Sequence, residues 1–189
     1  MSTAKKAPKQ QRPIQREITI DGWDRGCEEI VDILSQNHAV EELIIADCQG
    51  EITTPVISAI FELKNLTSLD LYDNQLGDTG ATEIAKHLVG SNLTNLNLAR
   101  NQIGHRGAAA IANHLVGSNL NTLDLSENRI GHAGATEIIK NIVGSNVNTL
   151  YLGDNLIGDY VPEEDDDYVP QQIIDKWNEL GKDPQSLIL

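Results

Sequence analysis

Phenylalanine and methionine each occur once among 189 residues, tryptophan and cysteine twice, tyrosine four times. An aromatic content of 4% leaves few large rings to fill a core, so burial must come from Leu, Ile, Val and Ala. Two cysteines are too few for a disulfide framework or a thiolate metal centre. Both have packing places: Cys27 on a helix's inner face, Cys48 at the start of a buried polar column. This predicts reduced thiols. Basic residues are scarce, 14 against 28 acidic, for a net charge of −14. Such a chain repels nucleic-acid phosphate and anionic membranes and favours basic protein surfaces. No apolar run is long enough to span a membrane, and no leader-like apolar segment stands near residue 1. The expectation is a cytoplasmic protein without a classical signal peptide. A Gly-rich phosphate loop, HExxH, CxxC and a nucleophile elbow are all missing. The chain is therefore expected to be no enzyme, with no cofactor, no catalytic residue and no metal.

Repetition is what the chain does have. Units beginning at Leu66, Leu93, Leu120 and Val147 recur every 27 residues, and the first two copies are identical at 17 of 27 positions. A fixed period of this size marks a solenoid, whose units cannot bury their apolar faces alone. Within one unit Leu69 and Leu71 lie two apart, the period of a strand. Ala81, Ile84, Ala85 and Leu88 then follow the i, i+3, i+4, i+7 spacing of a helix stripe. Gly90, Gly117 and Gly144 fall where a left-handed residue ends a helix. Asn74, Asn101, Asn128 and Asn155 form a column just after the strands. An amide there both donates and accepts, and can satisfy turn backbone groups of its own and adjacent coils.

The pattern LxxLxLxxN, followed by (L/I)GxxGAxxI and a helix, resembles the leucine-rich repeat of the ribonuclease-inhibitor-like class over about residues 17–158. The resemblance implies an α/β solenoid, a short horseshoe with a parallel β-sheet on its concave side and α-helices on its convex side. Its helical caps would close both ends. The units here are slightly shorter than is usual for that class.

The organisation then reads as follows. Residues 1–16 carry Lys5, Lys6, Lys9, Arg12 and Arg16 and no acid, and are read as a disordered basic tail. Residues 17–189 form one repeat domain. An N-terminal cap at 17–39 holds Ile18 and Ile20 on a strand and a helix opened by Asp24, with Cys27, Ile30, Val31 and Leu34 on one face. A degenerate repeat at 40–65 aligns Val40, Leu43, Ile45 and Cys48 with Leu66, Leu69, Leu71 and Asn74. Its helix starts at Thr54-Pro55. Regular repeats follow at 66–92, 93–119 and 120–146. A C-terminal repeat and cap occupies 147–189, with an acidic insertion at 159–170. A last helix at about 171–180 sets Trp177 as a lid on the core.

Two constellations suggest chemistry. Asp78, His105, His132 and Asp159 share one repeat position and would make a transition-metal donor set. They would lie along a line rather than around a point, and helix capping explains the position better. The Glu163–Asp167 run lacks the alternation and turn glycine of a calcium loop. The stronger candidate surface is the outward strand face. Its columns run Ile44, Asp70, Asn97, Asp124, Tyr151; then Ala46, Tyr72, Ala99, Ser126, Gly153; then Asp47, Asp73, Arg100, Glu127, Asp154. Partner contacts are expected at Asp70, Tyr72, Asp73, Asn97, Arg100, Asp124, Glu127, Tyr151 and Asp154, because Tyr and Arg anchor interfaces and acids steer basic partners. The function expected is a non-enzymatic, monomeric module that binds a partner protein with a basic surface. Nucleic acid and membranes are not expected as partners.

Three further resemblances bear on setting. The short, recently duplicated repeats resemble effectors that intracellular bacteria deliver into host cells, which implies a host protein as target. Repeats of this class also resemble the GTPase-activating proteins of Ran, which carry an acidic stretch after their repeats. This array is shorter, and no position here matches a catalytic residue. Inhibition of a basic enzyme such as a ribonuclease suits the charge, although that inhibitor is long and cysteine-rich.

Overall fold

Residues 16–21, 29–48, 52–157 and 169–189 are described in a computed structural model. Strands and helices alternate: β1 (Glu17–Asp21), α1 (Ile30–Ser35), β2 (Glu42–Ala46), α2 (Thr54–Phe61), β3 (Ser68–Asp70), α3 (Gly77–Leu88), β4 (Asn95–Asn97), α4 (His105–Ala112), β5 (Thr122–Asp124), α5 (Gly131–Ile142), β6 (Thr149–Tyr151), α6 (Val169–Glu179) and β7 (Leu187–Ile188). The seven strands pair in sequence order, β1 through β7, and every pair is parallel. Among the described residues each helix packs chiefly on the next helix in sequence, and β1 does not pair with β7, which gives an open leucine-rich-repeat solenoid rather than a closed barrel.

The register follows the sequence period. Leu69, Leu96, Leu123 and Leu150 stand side by side across β3 to β6, and Leu43 pairs with Leu69 at the shorter offset the degenerate repeat requires. These leucines and the next inward row, Leu71, Leu98, Leu125 and Leu152, are all buried. Each buried Leu contributes roughly 1.5–3 kcal/mol relative to exposure. The helix stripe Ala81, Ile84, Ala85 and Leu88 is wholly enclosed. Small alanines let α3 approach the sheet, and Ile84 and Leu88 fill the space between. Gly90, Gly117 and Gly144 all have φ between 80° and 88°, which L side chains rarely adopt.

β3 to β6 stop after three residues because the chain turns left-handed just beyond them. Asp73, Arg100, Glu127 and Asp154 all have φ near +55°, as does Asp47. The next residue in the regular coils is the column asparagine. Asn101 is fully buried. Its Oδ1 accepts from the backbone N–H of Asn74 at 3.0 Å and Leu76 at 3.2 Å. Its Nδ2 donates to the carbonyls of Leu71 and Ala99. Asn74, Asn128 and Asn155 repeat the arrangement. The expected polar ladder is present, and no buried side-chain N or O among the described residues lacks a partner.

The ends depart from expectation in detail. In α1, Ile30 and Leu34 are buried but Val31 is 37% exposed, since a six-residue helix turns only one narrow stripe inward. The proposed cap Asp24 and Cys27 lie outside the described residues. α2 starts at Thr54, with Thr53 in the N-cap place. α6 begins at Val169, two residues before the expected start; the rest of the acidic insertion, 159–168, lies outside the described residues. Trp177 is fully buried and its indole N–H donates to the Asp183 carbonyl at 2.9 Å, so it closes the core as expected. Beyond it the chain adds an unexpected strand, β7, to β6. The expectation of reduced thiols is corrected at Cys48, which is buried and disulfide-bonded. Burial and bonding are compatible, and separation along the chain does not reveal which thiols the coils bring together.

Candidate interaction face

The outward column predicted from the repeats is a physical row: Ile44, Asp70, Asn97, Asp124 and Tyr151 are register partners across β2 to β6. Three of these have a structural duty. Asp70, Asn97 and Asp124 each accept, through Oδ1, the backbone N–H two residues on, from Tyr72, Ala99 and Ser126, all at 2.9 Å. Asp124 also takes the Ser126 hydroxyl at 2.6 Å. Each side chain thus caps the turn that ends its own strand.

One column further on, Arg100 organises its neighbours. Its Nη1 donates to the Tyr72 hydroxyl at 2.7 Å, and the guanidinium carbon lies 5.6 Å from the Tyr72 ring centroid. Its Nε lies 3.1 Å from Glu127, and its Nη1 lies 3.7 Å from Asp73. Tyr72 above all, then Glu127 and Asp73, hold the guanidinium above its already high pKa. Asp154 lines the same hollow as Asp73, Arg100 and Glu127, together with Gln102 and Arg129. The four residues Asp73, Arg100, Glu127 and Asp154 are brought together because they share the left-handed position of consecutive coils. Tyr151 stands apart, half-buried on β6.

Some surface residues escaped the sequence reading. Ile188 of β7 is the register partner of Tyr151 and is 45% exposed; the terminal Leu187-Ile188-Leu189 run was its only signal. A further outward row, Glu42, Ser68, Asn95, Thr122 and Thr149, is uncharged after its first member.

Asp78 has a structural duty of its own. Asp78 Oδ1 accepts from the backbone N–H of Gly104 at 2.7 Å and Gly107 at 2.8 Å. It therefore caps α4 of the next coil rather than its own helix. His105 and His132 are exposed, Asp159 lies outside the described residues, and no group of three or more metal-ligating side chains occurs among the described residues. His87 stacks on Phe61 with centroids 4.8 Å apart and stands 3.8 Å from Glu83. No described helix is long and apolar enough to cross a membrane.

The leucine-rich-repeat family model matches residues 62–85, 91–112 and 118–138. The chain carries leucine-rich repeats. No curated protein matches the sequence. Among solved structures, the one titled Leiomodin-1 Actin-Binding Site 2 (ABS2) superposes with a TM-score of 0.64 at 20% identity, covering 82% of this chain and 86% of that one. At that identity the likeness concerns the fold.

Proposed function

We propose that the chain is a non-enzymatic interaction module that holds a partner protein, through a basic surface, on its concave face. The observation that carries this reading is the charge balance around Arg100. Its single positive charge is already engaged by Tyr72, Glu127 and Asp73. Beside it Arg129 lines the same hollow, so the carboxylates of Asp70, Asp73, Asp124, Glu127 and Asp154 outnumber the two guanidinium groups an incoming partner meets. Such a field attracts basic surfaces and speeds encounter, while Tyr72 and Tyr151 offer rings for contact. The leiomodin structure is titled as an actin-binding site, so a protein partner is in keeping with one use of this fold. Actin is a reasonable first partner to assay. The same acidity suits a basic enzyme as target, and delivery into a host cell would supply either one.

The test compares the intact chain with a Tyr72→Ala/Arg100→Ala/Tyr151→Ala variant whose fold is first checked by circular dichroism. Both are offered actin in co-sedimentation and a panel of basic proteins, including a ribonuclease, in titration calorimetry. Binding by the intact chain that the variant loses supports the concave site. Equal binding by both overturns it.

A further inference from the structure

The solenoid's two ends are closed differently. At the C-terminal end Trp177 plugs the core and β7 covers β6. At the N-terminal end the sheet begins at β1, and no described strand lies on its outer side. A groove runs along this flank between β1 and α1, lined by Glu17, Thr19, Asp21, Glu29, Asp32 and Ile33 among others. None of its lining residues is basic.

The orientation of β1 follows from its bonds to β2. The Arg16 carbonyl accepts from Glu42 N–H at 3.0 Å, and Glu17 is level with Glu42. In a parallel ladder alternate residues bond to one side. Arg16, Ile18 and Ile20 therefore face β2, and the backbone groups of Glu17 and Thr19 point to the outer side, where no described strand lies. The side chains alternate as well: Ile18 and Ile20 turn to the core, while Glu17, Thr19 and Asp21 are exposed. An edge with a hydrogen-bonding row, an aliphatic side and an acidic rim has the features that strand addition uses.

We propose that this flank accepts an extended segment of a partner protein as an added strand, with lysine or arginine alternating with aliphatic residues. The basic side chains meet Glu17 on the concave side. The aliphatic ones pack toward Ile18, Ile20 and Ile33, and the rim carboxylates Glu29 and Asp32 exclude acidic segments. The inference rests on the edge geometry and is independent of the Arg100 cluster.

The test titrates the full chain with a fluorescent ten-residue peptide of alternating lysine and valine, read by anisotropy. A second peptide of the same sequence is N-methylated at alternate backbone positions, which keeps its charge but removes ladder donors. Expected are at least tenfold weaker binding of the N-methylated peptide and at least tenfold weaker binding to Glu17→Lys/Asp32→Lys, whose sites are exposed and whose fold is checked by circular dichroism. Thr19→Pro, which removes an outward N–H, weakens binding where Thr19→Ala does not. The Tyr72→Ala/Arg100→Ala/Tyr151→Ala variant binds the peptide unchanged. Equal binding of both peptides, or loss of binding only in the concave variant, overturns the proposal.

Discussion

The hydroxyl of Tyr72 receives a hydrogen bond from Arg100, one coil further along the stack, at 2.7 Å. That bond and the ring contact beneath it tie two coils together on the exposed face. The Arg100–Glu127 pair is shorter than the Arg100–Asp73 pair but half-exposed on both sides. Exposed ion pairs contribute little, about 0–1 kcal/mol. Tyr72→Phe, which removes the bond to Arg100 and none of the ring contact, is expected to lower the denaturation midpoint slightly, and Glu127→Gln by less. Urea denaturation of the two variants settles the order; a larger loss in Glu127→Gln would reverse the hierarchy.

Asn101→Ala leaves two backbone donors and two carbonyls without the partners they have in the native chain. Each orphaned buried group costs roughly 1–3 kcal/mol, partly recovered by relaxation and water. A loss of about 3–5 kcal/mol follows, against under about 1 kcal/mol for the exposed Asn92→Ala, which breaks one bond to the Lys64 carbonyl. Comparable losses in the two variants would contradict a central role for the inner column.

Gly107→Ala tests the approach of neighbouring coils. A Cβ at Gly107 would lie 2.8 Å from Asp78 Oδ1, 2.8 Å from Ile103 Cγ2 and 3.0 Å from Ala81 Cβ. Overpacking of this kind costs about 1–3 kcal/mol. Gly144→Ala meets no atom within 4 Å but has φ of +80°, so its loss arises from backbone strain of about 1 kcal/mol. Thermal melts that rank Gly144→Ala as the more damaging would argue against the close contact.

Glu83 holds its carboxyl below the ordinary carboxylate range, chiefly through the hydrogen bond from Lys86 at 2.6 Å, with the charges of Lys86 and His87 adding to it. The folded chain thus binds this proton less readily than the unfolded one. Its contribution to stability is present above the unfolded carboxylate pKa and is lost as pH falls through the lower folded value. An NMR titration should find the Glu83 carboxyl ionising below a free glutamate, and Lys86→Ala should move it upward. An unmoved midpoint in that variant would assign the shift to something else.

Reduction of the Cys48 disulfide should lower the denaturant midpoint, with a typical loss of about 2–4 kcal/mol for such a bond. Unfolding curves with and without reductant measure it, and coincident curves would show that the bond does not constrain the chain.

The sequence made the coil legible because its two periods, two and then 3.6, repeat with the same phase: Leu69 and Leu71 on the strand, Ala81 to Leu88 on the helix. The column Asp70, Asn97, Asp124 was legible as a row but not as a set of turn caps. That role depends on left-handed backbone at Asp73, Arg100 and Glu127, at residues that do not announce it as glycine does. Asp78 was read as a cap for its own helix, while α4 of the next coil is nearer in space. β7 was missed because two residues carry no periodicity. The Arg100 cluster could be placed by column, but its internal pairing depends on side-chain reach across coils, which a period does not encode.

The asparagine column has a direction. Asn74 Nδ2 reaches back to the Ile45 carbonyl, Asn101 to Leu71, Asn128 to Leu98 and Asn155 to Leu125. The backbone N–H groups of Cys48, Asn74, Asn101 and Ile130 are in turn satisfied by the asparagine one coil ahead. Each of these four turns is completed by the coil synthesised after it. During synthesis each of these turns keeps its backbone donors unsatisfied until the following coil has left the ribosome.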